Sequence, residues 1–168
     1  MIRPDLNSES LTDDPRAKTH AIRALTVKSF DGLTTRELYA ILSARAEVFV
    51  AEQGIIYCDP DGVDLESLHC FFEQEGRIVA YLRAFSESEN AVRVGRVLTV
   101  KDVRGTGLGK ELFEKSIPEI SKHFSCDLVK VDAQMHAAGF YERLGFTVTS
   151  DSFMEEGIPH IKMELRVR

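Results

Sequence analysis

Thr99-Val100-Lys101-Asp102-Val103-Arg104-Gly105-Thr106-Gly107-Leu108-Gly109-Lys110 is the stretch that decides how this chain folds. Three glycines fall within five residues, a composition that costs backbone entropy in a plain connector. The residues before it, Arg93 to Val100, read as a strand. Those after it place Leu108, Leu112, Phe113, Ile117 and Ile120 near helical spacing. The glycines therefore open a helix whose first N–H groups have no internal acceptor. Those donors, together with the helix dipole, suit a phosphate, and Arg104 and Lys110 add positive charge on either flank. The plainer alternative is a tight strand-to-helix turn. Two phosphate motifs fail the test. Glu111 follows Gly109-Lys110 where a nucleotide P-loop needs Ser or Thr, and the glycines run G-x-G-x-G rather than the dinucleotide G-x-G-x-x-G.

Working outward, Asp127 to Asp132 supplies a strand after that helix, so strand, turn, helix and strand form a βαβ unit with parallel strands. Pro118 is expected to kink or shorten the helix. Upstream, Leu68 to Glu73, Arg77 to Phe85 and Arg93 to Val100 are joined by turns too short for crossovers, and form an antiparallel meander. Earlier still, Ala21 to Phe30 reads as a strand. A helix follows, with Thr34 and Glu37 as a capping box, fading near Gln53-Gly54. Downstream, His136 to Leu144 forms a short helix ended by Gly145, and Phe146 to Phe153 and His160 to Val167 form two last strands. The expected fold is α/β, with a mixed sheet in one domain over residues 20–168. Residues 1–19 are polar and read as a flexible arm.

The 168 residues carry a net charge of −6, with 43% hydrophobic and 29% charged side chains, which excludes a wholly disordered chain. No apolar run approaches the length of a membrane span, and the first 20 residues have no apolar centre of an export signal. Three cysteines, few and odd in number, fit a reducing compartment, so a cytoplasmic location is expected. Net negative charge argues against a nucleic-acid partner. Asp59, Asp61 and Asp64 resemble the start of a calcium loop, but Cys70 stands where its bidentate Glu belongs, and no metal is expected.

Arg104-Gly105-Thr106-Gly107-Leu108-Gly109 resembles the Arg/Gln-x-x-Gly-x-Gly/Ala turn of the GCN5-related N-acetyltransferases (GNAT). Gly139-Phe140-Tyr141-Glu142-Arg143-Leu144-Gly145-Phe146 is similar to that family's Tyr-bearing helix, in the expected order. The resemblance spans Ala21 to Arg168. Residues Ala46 to Gln53, Asp59 to Asp64, Ser67 to His69, Val94 to Val97 and Gly157 to His160 resemble the ElaA-like branch. The resemblance implies a GNAT-like acyl-CoA N-acyltransferase fold with two splayed parallel strands and acetyl-CoA as cosubstrate. Its diphosphate would lie on Arg104, Gly105, Thr106, Gly107, Leu108, Gly109 and Lys110, and its pantetheine arm against main-chain groups of Leu98, Thr99 and Val100. Gln134 stands where the family has an Asn that contacts the cofactor.

The implied reaction is direct attack of a primary amine on the thioester, the acceptor being a small molecule or a protein, in a monomer or homodimer. Tyr141 matches the family's general acid, and is otherwise a packing residue beside Phe140. The strand Arg93 to Val100 has no carboxylate to act as base. The remaining candidates are Glu155 and His160, on the base or substrate side, with Glu156, His69 and Glu52. Two other readings stay open. One is an acyl-homoserine-lactone synthase, whose early segment resembles Arg45-Ala46-Glu47-Val48-Phe49. The other is a catalytically silent CoA-binding module.

Overall fold

A computed structural model describes residues 24–167, so the expectation of an arm over residues 1–19, and the first residues of the first expected strand, lie outside the described residues. The chain enters at β1 (Thr26–Ser29) and passes through a short 3-10 turn into α1 (Thr35–Arg45). The Thr34 hydroxyl accepts from the Glu37 N–H and the Glu37 carboxylate accepts from the Thr34 N–H, the reciprocal cap that the sequence predicts. The helix does not stop at Arg45. It widens into a π-helical segment, Ala46–Glu52, a form that recurs at functional sites.

The meander follows as β2 (Leu68–Gln74), β3 (Arg77–Ser88) and β4 (Ala91–Thr99), all antiparallel neighbours. α2 (Leu108–Phe124) then crosses to β5 (Leu128–Gln134), which pairs parallel to β4. After α3 (Ala138–Arg143) come β6 (Thr147–Val148), β7 (Phe153–Glu155) and β8 (Ile158–Arg166). The strands form a single mixed sheet in the order β1-β2-β3-β4-β5-β8-β6, with β7 also on β8.

Side-chain alternation assigns the two faces of this sheet. Arg45, at the end of α1, lies over the Tyr81 ring at 6.0 Å, so Tyr81 and Arg83 face α1. Ala80, Leu82 and Ala84 face the other way, toward α2, which contributes the buried Leu108, Leu112, Phe113 and Ile120. Each such side chain stabilises the fold by about 1.5–3 kcal/mol through burial.

Two expectations are corrected. α2 is not shortened at Pro118 but runs on to Phe124, because its buried stripe continues to Ile120 and outweighs one lost main-chain bond. The expected strand from Phe146 to Phe153 is broken into β6 and β7. Between them the Ser150 hydroxyl accepts from the Lys162 N–H at 3.0 Å, taking the place of a main-chain partner and interrupting the ladder.

Candidate active site

The Gly-rich turn leaves the C-terminal end of β4. Gly105 and Gly107 have φ of +75° and +85°, left-handed values that a side chain resists. Among the described residues, nothing beyond their own chain neighbours lies within 4 Å of where their Cβ atoms would project, so backbone conformation is what selects glycine there. Gly107 is the N-cap of α2 and offers no side-chain acceptor. The first main-chain bond of the helix runs from the Glu111 N–H to the Gly107 carbonyl at 3.0 Å, which leaves the N–H groups of Leu108, Gly109 and Lys110 without helical partners. At Gly109 a Cβ would meet Thr99 Cγ2 at 3.5 Å and Phe140 Cζ at 3.6 Å, ordinary van der Waals contact, so α2 lies against β4 and α3 there without requiring glycine.

Beside this turn β4 and β5 separate. Their parallel register covers only Ala91 to Arg93 against Leu128 to Lys130. The cause is a bulge in β4, where register slips between Tyr81↔Leu98 and Arg83↔Gly95 and Arg96 takes a left-handed φ of +50°. The Arg96 guanidinium donates to the Asp59 carboxylate at 2.9 Å and to the Asp59 carbonyl at 3.0 Å, and it lies over the Tyr57 ring. Past the bulge β4 stays with β3. The Val100 N–H bonds the Val79 carbonyl at 3.0 Å, so by antiparallel alternation the main-chain groups of Leu98 and Val100 face β3. Those of Thr99 point across the opening toward β5. The Thr99 carbonyl accepts from Arg104 Nε at 3.0 Å, and the same guanidinium grips both oxygens of Glu52 at the end of the π segment. That contact holds the Glu52 carboxyl below the usual range, so it stays ionised and paired. Lys110 is exposed and sits 3.4 Å from Glu114.

Tyr141 projects from α3 into an aromatic nest. Its ring meets Phe113, Phe140 and Phe146 edge-on at 5.6, 5.2 and 5.6 Å. Burial alone pushes the phenol well above its ordinary value, so it remains protonated at neutral pH. Its hydroxyl has no hydrogen-bond partner among the described residues.

Gln134, His160 and Phe153 form one row across β5, β8 and β7, because the register pairs Gln134↔His160 and Phe153↔His160. His160 is buried, its Nδ1 lies 2.9 Å from the Ile158 carbonyl and its Nε2 lies 3.8 Å from Glu155 Oε2. The structure thus brings Gln134, His160 and Glu155, which the sequence named separately, onto one face of the sheet. His69 is elsewhere, wholly buried between the Tyr81 hydroxyl at 2.8 Å and the Asp64 carbonyl at 3.0 Å, and burial pushes its pKa down. It serves the core. Glu156 occupies an exposed turn at φ +47°.

An ionic cluster escaped the sequence reading. Arg45 donates to Asp59 at 2.8 Å and to Asp64 at 2.6 Å, Arg83 to Asp64 at 2.8 Å, and Arg96 to Asp59. Asp61 pairs with Arg83, whose hydrogen bond holds its carboxyl down at about 2. The three aspartates that look like part of a calcium loop are therefore occupied by guanidiniums. Their spacing was visible in the sequence; the arginines, 14 to 37 positions away, carried no local signal.

A family profile described as "Acetyltransferase (GNAT) domain" matches residues 62–167, the stretch that holds the turn, the opening and the row. The chain belongs to the GNAT family. Within it, this GNAT chain belongs to the ElaA-like branch. It is 36% identical over 142 residues to a UPF0039 protein of Schizosaccharomyces pombe, covering 83% of this chain and 95% of that one. The crystal structure of Escherichia coli ElaA superposes with a TM-score of 0.79 at 33% identity, over 84% of this chain and 98% of that one. An acyl-CoA N-acyltransferase from Pseudomonas aeruginosa also superposes at 0.79, with 36% identity over the same shares. These matches bear out the mixed α/β fold and the ElaA-like resemblance. Among the described residues of this GNAT domain, no helix is long and apolar enough to cross a membrane.

Proposed function

We propose that this GNAT protein transfers the acetyl group of acetyl-CoA to a primary amine by direct attack. The observation that carries the reading is the left-handed Gly105–Gly107 turn, which sets orphan N–H groups beside the opening between β4 and β5. Arg104, Gly105, Thr106, Gly107, Leu108, Gly109 and Lys110 would hold the cofactor diphosphate, mainly through main-chain N–H groups and the dipole of α2. The pantetheine arm would lie along Leu98, Thr99 and Val100, with Thr99 offering the main-chain groups that face it and Arg104 yielding its carbonyl. Gln134 would border the arm from β5.

Tyr141 is the proposed general acid. A buried phenol that stays protonated at neutral pH holds a proton for the departing thiolate. Because the thiol is the stronger acid, the transfer needs the proton leaving the amine to refill the phenoxide as it occurs. The acyl-CoA N-acyltransferase relative from P. aeruginosa supports a CoA thioester as donor. We read residues 20–168 as the single catalytic domain, working in the cytoplasm as a monomer or homodimer without nucleic acid.

The test follows free thiol from acetyl-CoA across a panel of small amines and amine-bearing peptides. Amine-dependent thiol release with a matching acetylated product supports the proposal. CoA binding without thiol release supports a silent module, and lactone formation from S-adenosylmethionine supports a homoserine-lactone synthase; either result overturns the proposal.

A further inference from the structure

The hairpin of β7 and β8 closes through Glu156 and Gly157, both left-handed at φ +47° and +77°, the conformation of a tight two-residue turn. That turn fixes the register Glu155↔Ile158 and Phe153↔His160. Alternation then puts Phe153, Glu155, Ile158 and His160 on one face of the sheet, the face that also carries Gln134. Gln134 lies at the end of β5, beyond the point where β4 and β5 part. The hairpin face therefore forms the rim of the proposed thioester cleft.

The chemistry of His160 follows from its partners. A carbonyl oxygen can only accept, so the Nδ1 that lies 2.9 Å from the Ile158 carbonyl carries the proton. In the neutral ring Nε2 then holds the lone pair. Nε2 faces Glu155 Oε2 at 3.8 Å, another atom that only accepts. Two proton acceptors converge there at a spacing too long for one hydrogen bond between them. Phe153 stacks on the imidazole at 6.0 Å and holds its plane, and the Lys162 ammonium lies over the Phe153 ring at 5.7 Å. His160 is 8% exposed, whereas the Glu155 side chain is 54% exposed, so one acceptor is inside the rim and the other stands at its mouth.

We infer that His160 Nε2 is the general base and that Glu155 recognises a cationic primary ammonium, which bridges the two. The inference rests on the amine-acetylation reading above. The ammonium gives one N–H proton to Nε2, forming imidazolium, and its freed lone pair attacks the thioester carbonyl carbon. The C–N bond forms and the C–S bond breaks. The thiolate takes the Tyr141 proton, and the second proton leaving nitrogen refills the phenoxide. The imidazolium returns its proton to water. One ammonium and one thioester thus become one amide, one thiol and one released proton.

The test uses the full-length protein with a thiol-release assay. His160→Gln should lower kcat/KM at pH 7 by about 10²- to 10⁴-fold, with CoA affinity by calorimetry within about twofold of wild type. The loss should shrink as pH rises toward the pKa of the amine, because solvent then supplies the free base. The titrating and charged groups that register places on the His160 face are Glu155 on β7, Lys162 on its own strand and Asp132, paired in register with Lys162, on β5. Glu155→Gln should raise KM for a cationic amine about tenfold with little change in kcat, and leave an acceptor that is neutral at the assay pH unaffected. A His160→Gln loss under threefold, a loss that is flat with pH, or an equal Glu155→Gln effect on charged and neutral acceptors overturns the assignment. Wild-type protein inactive with every amine overturns the acetylation reading, and this assignment with it. Wild-type activity retained in His160→Gln overturns this assignment alone.

Discussion

The turn after β4 and the ionic cluster at the end of α1 are built on opposite principles. The turn presents main-chain N–H groups, and its residues matter chiefly for the backbone they permit. The cluster is made of side-chain charge: Arg45, Arg83 and Arg96 against Asp59, Asp61 and Asp64, with Arg45 and Arg83 almost fully buried. One is local, a few consecutive residues. The other gathers six residues from a helix, two strands and a loop. A backbone site can keep its shape through most side-chain changes but not through a change in glycine. A buried charge network tolerates no single loss, because each removal leaves a partner desolvated and unpaired.

The cluster should therefore give the largest effect. Asp64 is shared by Arg45 and Arg83, and Asp64→Ala should destabilise the fold by about 3–5 kcal/mol, read as a fall in denaturant midpoint. A loss below ~1 kcal/mol would show that the network is not what holds the loop to the sheet. Its pH dependence has a fixed sign. The guanidiniums hold Asp64 and Asp61 below their ordinary values, Asp61 at about 2. Stability from them is full above their unfolded pKa near ~4 and is lost as pH falls through the folded values. Acid unfolding that begins well above pH ~4 would assign the transition to other groups.

Away from the cluster the expected effects are smaller and fall on function. Tyr141→Phe should cut turnover by about 10²-fold and leave CoA affinity nearly unchanged, since only the proton is removed from a ring whose packing stays. Equal turnover in the two proteins removes Tyr141 from the mechanism. Gly107→Glu forces a left-handed residue that costs roughly 1–2 kcal/mol, and it sets a carboxylate at the proposed diphosphate site. Calorimetry should show CoA affinity down by about tenfold or more, with unchanged affinity counting against this placement of the diphosphate. The least sensitive contact should be the exposed Arg104–Glu52 pair. Glu52→Gln should leave the melting temperature unchanged, because exposed ion pairs contribute little.

Particular residues show how far sequence reading carried. The Thr34–Glu37 cap, the three-strand meander and the glycine turn were legible because each depends on neighbours within a few positions. Gln134, His160 and Glu155 were named one by one, but their grouping was not legible, since it depends on the register of β8 against β5 and β7. The widening of α1 into a π segment and the break at Ser150 were missed too. A widened helix keeps the apolar stripe, and a serine hydroxyl that replaces a main-chain group leaves no mark on the pattern of strands.

The sequence by itself determined the order of strands and helices, the place of the glycine-rich turn and the family. These are consequences of local periodicity and of which residues tolerate a left-handed backbone. Only the tertiary structure decided that Arg96 bends β4 away from β5, that three aspartates serve arginines rather than a cation, and that His160 meets Glu155 across the β7–β8 hairpin. Those outcomes depend on long-range charge pairing and strand register, which are energies between distant residues and leave no periodicity for a linear reading to find.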